Sequence, residues 1–183
     1  MARVSLIDES HLELEGLIAR IKGARRGRLI NVYKLLLHSP ALAESWFLHN
    51  NAVRWKTELA GRLREILIIR IGYLTRVSYI VRQHVPALAI AEGLTREECD
   101  ALEDWLGSAL FDERERAALA YADSMSREIH VAEAVFAALK PFFSERQIVE
   151  LTVLIGTYNM HARVMQALEI DPEHSEGNPN AEA

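Results

Sequence analysis

Cysteine is almost missing from this sequence of 183 residues, in which Cys99 stands alone. A single cysteine excludes an intrachain disulfide and a Cys-x-x-Cys pair for thiol redox chemistry or zinc binding. Metal-binding spacings are lacking as well, because His38 and His49 are far apart and no His-Glu-x-x-His sequence occurs. The sequence also has no glycine-rich phosphate loop and no Gly-x-Ser-x-Gly motif. We therefore predict a protein that uses neither a metal nor a cofactor.

Long apolar runs and an excess of basic charge are missing too. The strongly apolar run at residues 66–69 is far too short to span a bilayer, and acidic residues interrupt any signal-peptide pattern at the amino end. Acidic side chains outnumber basic ones by 26 to 21, for a formal net charge of −5, which argues against nucleic-acid binding. The basic segment 20–28 is interpreted as a solvated helix end, with contact to an anion as the alternative. We expect a cytoplasmic protein that binds neither membranes nor nucleic acid.

Helical periodicity is present along most of the chain, whereas strand patterns are almost absent. Capping boxes begin at Thr95 and Asp112, and Ser144 with Gln147 forms a similar helix start. The predicted helices cover residues 10–23, 29–38, 42–53, 62–73, 75–93, 95–106, 112–125, 130–141 and 144–168. We predict an all-α, single-domain helical bundle over residues 1–170 and a disordered polar tail over residues 171–183.

His84 is a candidate functional residue about two turns into one predicted helix. A lone histidine on a largely apolar helix face is usually a core residue, and a catalytic histidine is the alternative. Pro86 removes the hydrogen bond between its own nitrogen and the carbonyl of Arg82, which distorts the helix there. A freed carbonyl could orient a neighbouring imidazole, so both interpretations stay open.

Glu65 stands at the entrance of a strongly apolar helix, where a carboxylate is unfavourable unless it is paired. Arg62, Arg64 and Arg70 are the partners that the sequence offers. One interpretation is a salt bridge that orients helices. The other is a carboxylate that holds the tautomer of His84 or shares a proton with it.

Polar residues on the His84 helix and on the last helix are further candidate contacts for a ligand. Ser78 and Tyr79 lie at the amino end of the His84 helix, where free backbone NH groups favour an anion. An ordinary first-turn serine and a core tyrosine are the alternatives. On the last helix, Tyr158 and Asn159 are polar residues in an apolar pattern, and with Arg82 they are predicted to bind substrate.

Several short sequences occur together in an order that is typical of one family. They are Arg62-Leu63-Arg64-Glu65, Leu74-Thr75, Tyr79, Gln83-His84 and Ala91-Glu92-Gly93-Leu94-Thr95, with Asn31-Val32-Tyr33 and His38-Ser39-Pro40 before them and Glu150 and Ile155-Gly156-Thr157-Tyr158-Asn159-Met160 after them. Together they resemble the carboxymuconolactone decarboxylase family, which includes the alkyl hydroperoxidase D proteins. The resemblance covers roughly residues 10–170.

The resemblance implies an all-helical fold that associates as trimers or hexamers, with His84 as the histidine of the family. Peroxidase members carry Cys-x-x-Cys-x-x-x-His, which would place the two cysteines at Val77 and Ile80. Without them, thiol peroxidase chemistry is excluded. Decarboxylase-like members often have Glu-Tyr-Glu before the histidine, and Ser78-Tyr79-Ile80 retains only the tyrosine. The loss of two acids would suit a carboxylate or a neutral substrate.

The predicted function is that of a cofactor-free lyase or isomerase that acts on a small acid or lactone. His84 would move a proton at the carbon next to a carbonyl, and Glu65 would orient His84. Ser78, Tyr79 or backbone NH groups would stabilise the enolate. The alternative is a non-catalytic helical oligomer that binds a ligand or a partner protein, which the missing acids and cysteines favour. A solvent-open pocket with convergent polar groups would favour the enzyme.

Overall fold

A computed structural model describes residues 2–173, and all regular structure in that range is helical. The α-helices are α1 Glu15–Gly23, α2 Asn31–Leu36, α3 Pro40–Trp55, α4 Gly61–Leu74, α5 Ser78–His84, α6 Arg96–Ala101, α7 Glu113–Arg127, α8 Glu133–Ala137 and α9 Glu145–Ala167. Short 3-10 segments lie at Leu12–Leu14 and Leu102–Gly107, and a π-helical turn at Val85–Ala89. This result confirms the all-α class. None of the helices described is long and apolar enough to cross a membrane.

The described chain forms two compact units. Residues 48–167 form one of them, and the residues before and after this range form the other. The single domain that the sequence indicated over residues 1–170 stays a prediction. All of the side chains that concern function below belong to the unit of residues 48–167.

The first part of the predicted tail makes contacts within its own unit. The carboxylates of Asp171 and Glu173 accept hydrogen bonds from the backbone amides of Ala2 and Asn31, each at 2.8 Å. The predicted disorder of residues 174–183 lies outside the described residues.

Helix α4 is the centre of the unit of residues 48–167, where it packs against α5, α7 and α9. Its residues 63–72 are all buried, and four consecutive ones, Ile66, Leu67, Ile68 and Ile69, have no exposed surface. A helix that is enclosed on every side must be apolar around its whole circumference. The charged residues of α4 therefore need partners on neighbouring elements.

Arg70 of α4 has such partners in Asp123 of α7 and in the 3-10 segment. Its Nε and Nη2 donate to the two carboxylate oxygens of Asp123 at 2.7 and 2.6 Å. Its Nη1 donates to the carbonyl oxygens of Leu102 and Glu103 at 2.9 and 2.8 Å. Arg70 thus joins three elements, and its interpretation as a partner of Glu65 is wrong.

The turn between α4 and α5 brings the two helices close together. Arg76 adopts a left-handed conformation with φ of 56°, and the amide of Val77 donates to the carbonyl of Gly72 at 3.0 Å, as in a Schellman motif. A side chain at Gly72 would lie 2.9 Å from the side chain of Val81 on α5. The absence of a side chain at Gly72 therefore allows the contact that sets α5 beside α4.

Pro86 lies within the π-helical turn that follows α5. It lacks the amide hydrogen that would bond to the carbonyl of Arg82 in a regular helix, and the predicted distortion is confirmed at this point. His84 is the last residue of α5 before the turn. π-helical turns inside helices are frequent at functional sites.

Candidate active site

Glu65 and His84 form a buried pair between α4 and α5. Nδ1 of His84 lies 2.5 Å from Oε2 of Glu65, and the two side chains are 8% and 0% exposed. An ionised carboxylate can only accept hydrogen bonds, so Nδ1 of His84 carries the proton in this bond. In the neutral imidazole, Nε2 then holds the lone pair. The pair therefore presents His84 as a base whose tautomer is fixed by Glu65.

The ionisation of Glu65 is decided by opposing effects. Burial disfavours the charged form, but His84, Arg54 and Arg64 outweigh burial and hold the pKa of Glu65 below its ordinary value. The carboxylate is therefore charged at neutral pH, and it would stabilise an imidazolium that forms when His84 accepts a proton.

Arg54, near the end of α3, connects Glu65 to Tyr158 of α9. Its Nη2 donates to Oε1 of Glu65 at 3.0 Å, and its Nη1 donates to the hydroxyl oxygen of Tyr158 at 3.1 Å. The same Nη1 lies 3.5 Å from Nε2 of His84. Burial lowers the pKa of Arg54, but Tyr158 and Glu65 reverse this effect and raise it above its ordinary value. A permanent positive charge therefore lies beside the basic nitrogen of His84.

Arg54 was not predicted as a site residue. Of the three arginines of α4 that the sequence offered as partners of Glu65, only Arg64 is one, with its Nε 3.6 Å from Oε1 of Glu65. Arg62 instead binds Glu98 and Glu115. Arg54 lies eleven residues before Glu65 on a different helix, so the tertiary packing alone brings it into contact.

Tyr158 continues the cluster along α9. The rings of His84 and Tyr158 meet edge to face with centroids 5.7 Å apart, and the ring of His161 lies 5.0 Å from that of Tyr158. Nε2 of His161 is 3.3 Å from the side-chain nitrogen of Asn50. His161, for which the sequence indicated no role, is buried and supports the tyrosine.

Arg64 and Trp55 lie next to the Glu65–His84 pair. Nη1 of Arg64 donates to the carbonyl oxygen of Arg54 at 2.9 Å, and its Nη2 donates to Oε1 of Glu92 at 2.7 Å. The indole of Trp55 lies over both guanidinium groups, 5.0 Å from that of Arg54 and 4.8 Å from that of Arg64. Trp55 is 57% exposed, whereas both arginines are buried.

Four residues that the sequence assigned to the site lie apart from this cluster. At 100° per residue, Ser78, Tyr79 and Arg82 point about 120° to 160° away from His84 around α5. Ser78 and Arg82 are exposed, whereas Tyr79 is buried. Asn159 follows Tyr158 and therefore points elsewhere, with its side-chain nitrogen donating to Ser126 of α7 at 2.8 Å. The predicted residues that the structure brings together are Glu65, His84 and Tyr158.

Cys99, the single cysteine of the sequence, does not belong to this cluster. Cys99 is a buried core residue of α6, and burial above all raises its pKa, which disfavours the reactive thiolate. Val77 and Ile80 occupy the positions of the peroxidase cysteines and are buried. Within residues 2–173, no group of three or more histidine, cysteine or acidic side chains is placed to hold a metal ion.

Several solved structures share the fold. An uncharacterized peroxidase-related protein from Silicibacter sp. TM1040 matches with a TM-score of 0.81 at 21% identity, over 94% of this chain and 92% of that one. The alkylhydroperoxidase AhpD core from Ralstonia eutropha JMP134 gives the same values. The debrominase Bmp8 in complex with 2,3,4-tribromopyrrole matches with a TM-score of 0.80 at 19% identity, over 94% of each chain. Similarities at this level of identity show the fold alone.

The sequence comparisons point to one family. The Escherichia coli protein YnjA, itself uncharacterized, is 30% identical over 119 residues, and the match spans 64% of this chain and 64% of the length of YnjA. Residues 40–124 match the carboxymuconolactone decarboxylase family, and this range contains Arg54, Glu65 and His84. The resemblance to the carboxymuconolactone decarboxylase family that the sequence indicated is thereby confirmed over these residues.

Proposed function

We propose that this chain is a cofactor-free lyase or isomerase for a small carboxylic acid or lactone, with His84 as the proton carrier. The observation that carries the proposal is the 2.5 Å contact between Nδ1 of His84 and Oε2 of Glu65 in a buried site. This bond fixes the tautomer of His84 and leaves Nε2 as the nitrogen that can accept a proton. Arg54, beside Nε2 of His84, adds a fixed positive charge where an anion would form.

The chemistry needs only these side chains. Nε2 of His84 takes the proton from the carbon next to a carbonyl, and the electron pair of the C–H bond moves towards the carbonyl oxygen. Arg54 and the hydroxyl of Tyr158 stabilise the enolate oxygen, which is the role predicted above for Ser78 and Tyr79. In a substrate with a neighbouring double bond the enolate is conjugated, and the imidazolium, held by Glu65, returns the proton to the far carbon of that double bond, which moves the double bond and completes an isomerisation.

Decarboxylation of a β-keto acid would use the same groups in a different order. The bond between the carboxyl carbon and its neighbour breaks, CO₂ leaves, and the electron pair moves onto the ketone oxygen beside Arg54. Protonated His84 then gives its proton to the carbon that lost CO₂. The ketone already accepts the electrons, so a cofactor is not required for this step.

Turnover by single-residue variants tests the proposal. The panel contains small lactones and β-keto acids, and the readouts are CO₂ release and formation of the isomerised product. We expect His84→Ala to lower kcat by at least about 100-fold, in the range of lost acid–base catalysis. His130→Ala, at an exposed histidine, is the control and should keep wild-type turnover. Wild-type kcat in His84→Ala would overturn the scheme.

A non-catalytic binding protein is the second candidate, and the burial of the cluster favours it. Arg54, His84 and Tyr158 are each less than a tenth exposed, so the cluster is polar but closed. This protein would bind a ligand or a partner and leave it unchanged. It would raise the Tm in the presence of a panel compound without turnover, and His84→Ala would remove that increase.

A further inference from the structure

Glu92 places its carboxylate in a small cradle at the start of α4. Oε1 of Glu92 accepts a hydrogen bond from Nη2 of Arg64 at 2.7 Å. The same carboxyl group lies against Gly61, the first residue of α4. A Cβ atom added at Gly61 would stand 1.7 Å from Oε2 and 2.2 Å from the carboxyl carbon of Glu92. The missing side chain of Gly61 therefore makes the space that this carboxylate fills.

Arg64 is built into the cradle as a buried cation. Its side chain is only 6% exposed, and among the described residues its Nε donates no hydrogen bond. The same Nε lies 3.6 Å from Oε1 of Glu65, so one guanidinium contacts both the Glu92 carboxylate and the carboxylate of the Glu65–His84 pair. A buried guanidinium needs an anionic partner, and Glu92 is the one that faces solvent.

Glu92 is the replaceable member of this arrangement. Its side chain is 33% exposed, and Gly93, which follows it, has φ of 86° in the turn after the π-helical segment. Glu65 differs from Glu92, because it has no exposed surface and is bound by both His84 and Arg54. Glu92 can therefore rotate into solvent while Glu65 stays in place.

We infer that the cradle of Gly61 and Arg64 is the carboxylate subsite for the substrate of the His84 site, and that Glu92 occupies it in the absence of substrate. This inference rests on the proposed function and specifies the substrate as a small carboxylic acid. The substrate carboxylate takes the place of the Glu92 carboxylate on Nη2 of Arg64. One anion replaces another, so Arg64 keeps a charged partner throughout.

Binding of acetate, measured by titration calorimetry at pH 7 and constant ionic strength, tests the inference. Glu92→Ala removes a tethered competitor whose effective concentration is at least millimolar, so we expect acetate to bind at least about tenfold more tightly than to the wild type. Acetamide, the neutral analogue, should gain nothing. Glu97→Ala removes an exposed acid of the next helix, and this control should bind acetate as the wild type does.

A second variant tests the shape of the cradle. Gly61→Ala in the Glu92→Ala background fills the space of the carboxylate and should return acetate binding to the wild-type level or below. Equal acetate affinity in the wild type and in Glu92→Ala would overturn the inference. The inference would also be overturned if adding Gly61→Ala to Glu92→Ala left the affinity for acetate unchanged. Should Glu92→Ala fail to fold, Glu92→Ser also empties the cradle, and the same outcomes apply.

The acetate test is separate from the test of catalysis. Adding His84→Ala to Glu92→Ala leaves the cradle intact, so acetate should bind as in Glu92→Ala even though turnover is lost. Tight acetate binding without turnover of any acid would support the subsite and count against the lyase. Turnover that depends on His84, with no effect of Glu92 on acetate affinity, would support the lyase and reject the subsite.

Discussion

Glu65 shows at the scale of one residue how a charge can be kept in an apolar helix. Its two oxygens contact His84 and Arg54 at 2.5 and 3.0 Å, and Arg64 lies beside them. Each partner comes from a different position in the fold, and each contributes to the ionised state of Glu65. The carboxylate therefore stabilises the fold only while these partners are present.

Replacement of Glu65 by glutamine should destabilise the protein strongly. Glu65→Gln keeps the shape but leaves Arg54 as a buried charge without its carboxylate, for which the expected loss is about 3–5 kcal/mol in the free energy of unfolding. Urea denaturation at pH 7 measures it. Glu58→Gln is the matched control, because Glu58 pairs with Arg146 at the surface and such pairs contribute at most about 1 kcal/mol. Equal losses in the two variants would show that burial of the pair is unimportant.

Single residues also mark how far the sequence alone could lead. Glu65 was found because a carboxylate in an apolar helix needs an explanation, and His84 because it precedes Pro86. Arg54 gave no comparable signal, since an arginine near a helix end is ordinary. Its role depends on the position of α3 beside α4, which no local pattern encodes.

At the scale of elements, two similar turns differ in the residue at their left-handed position. After α4 this residue is Arg76 with φ of 56°, and after the π-helical turn it is Gly93 with φ of 86°. In both turns an amide bonds to the carbonyl five residues earlier, from Val77 to Gly72 and from Leu94 to Ala89. A non-glycine residue is strained in this conformation by about 1–2 kcal/mol.

Exchanging the residue at each turn should shift stability in opposite directions. Arg76→Gly relieves the strain but adds flexibility to the unfolded chain, so we expect a gain of up to about 1 kcal/mol. Gly93→Ala introduces the strain and should lose about 1 kcal/mol. Both values are measured as free energies of unfolding in urea. A loss in Arg76→Gly would mean that the arginine side chain makes a contact worth more than the strain.

Element boundaries were predictable where the signal was local. The capping boxes at Thr95 and Asp112 form as predicted, with reciprocal bonds to Glu98 and Glu115. The helix predicted over residues 75–93 changes instead from α to π geometry after His84. Proline 86 fixes the place of the distortion, but the kind of distortion follows from the packing around it.

At the scale of the whole molecule, acid pH should weaken the fold through its bound carboxylates. A hydrogen bond from Arg62 is the main cause that lowers the pKa of Glu98 to about 2, against the opposing effect of burial. The pKa of Glu65 is lowered as well. Groups with a lower pKa in the folded state stabilise it fully above their ordinary pKa, and this stability is lost as the pH falls through the folded value.

We therefore expect the free energy of unfolding to fall as the pH drops from about 4.5 towards about 2. Glu98→Gln should have a lower free energy of unfolding than the wild type near neutral pH. It should also lose less over the acid range, because one of the titrating groups is gone. Urea denaturation at a series of pH values measures both effects. Parallel pH curves for the two proteins would contradict the role of Glu98.

Assembly and location in the cell are further properties of the whole molecule. The family resemblance implied trimers or hexamers, and the sequence indicated a cytoplasmic protein that binds no nucleic acid. These expectations stay predictions, and so does the absence of a cofactor.

Local sequence was enough to predict the helical class, most helix starts, the family resemblance, and Glu65 and His84 as candidate site residues. These features depend on local periodicity, capping residues and short motifs, which act over a few residues. Helix packing, in contrast, brings Arg54 and Tyr158 into the cluster and leaves Ser78 and Arg82 exposed to solvent. Packing also brings the carboxylate of Glu92 onto Arg64. Contacts between distant residues follow from how helices pack, and the spacing of residues along one helix does not specify them.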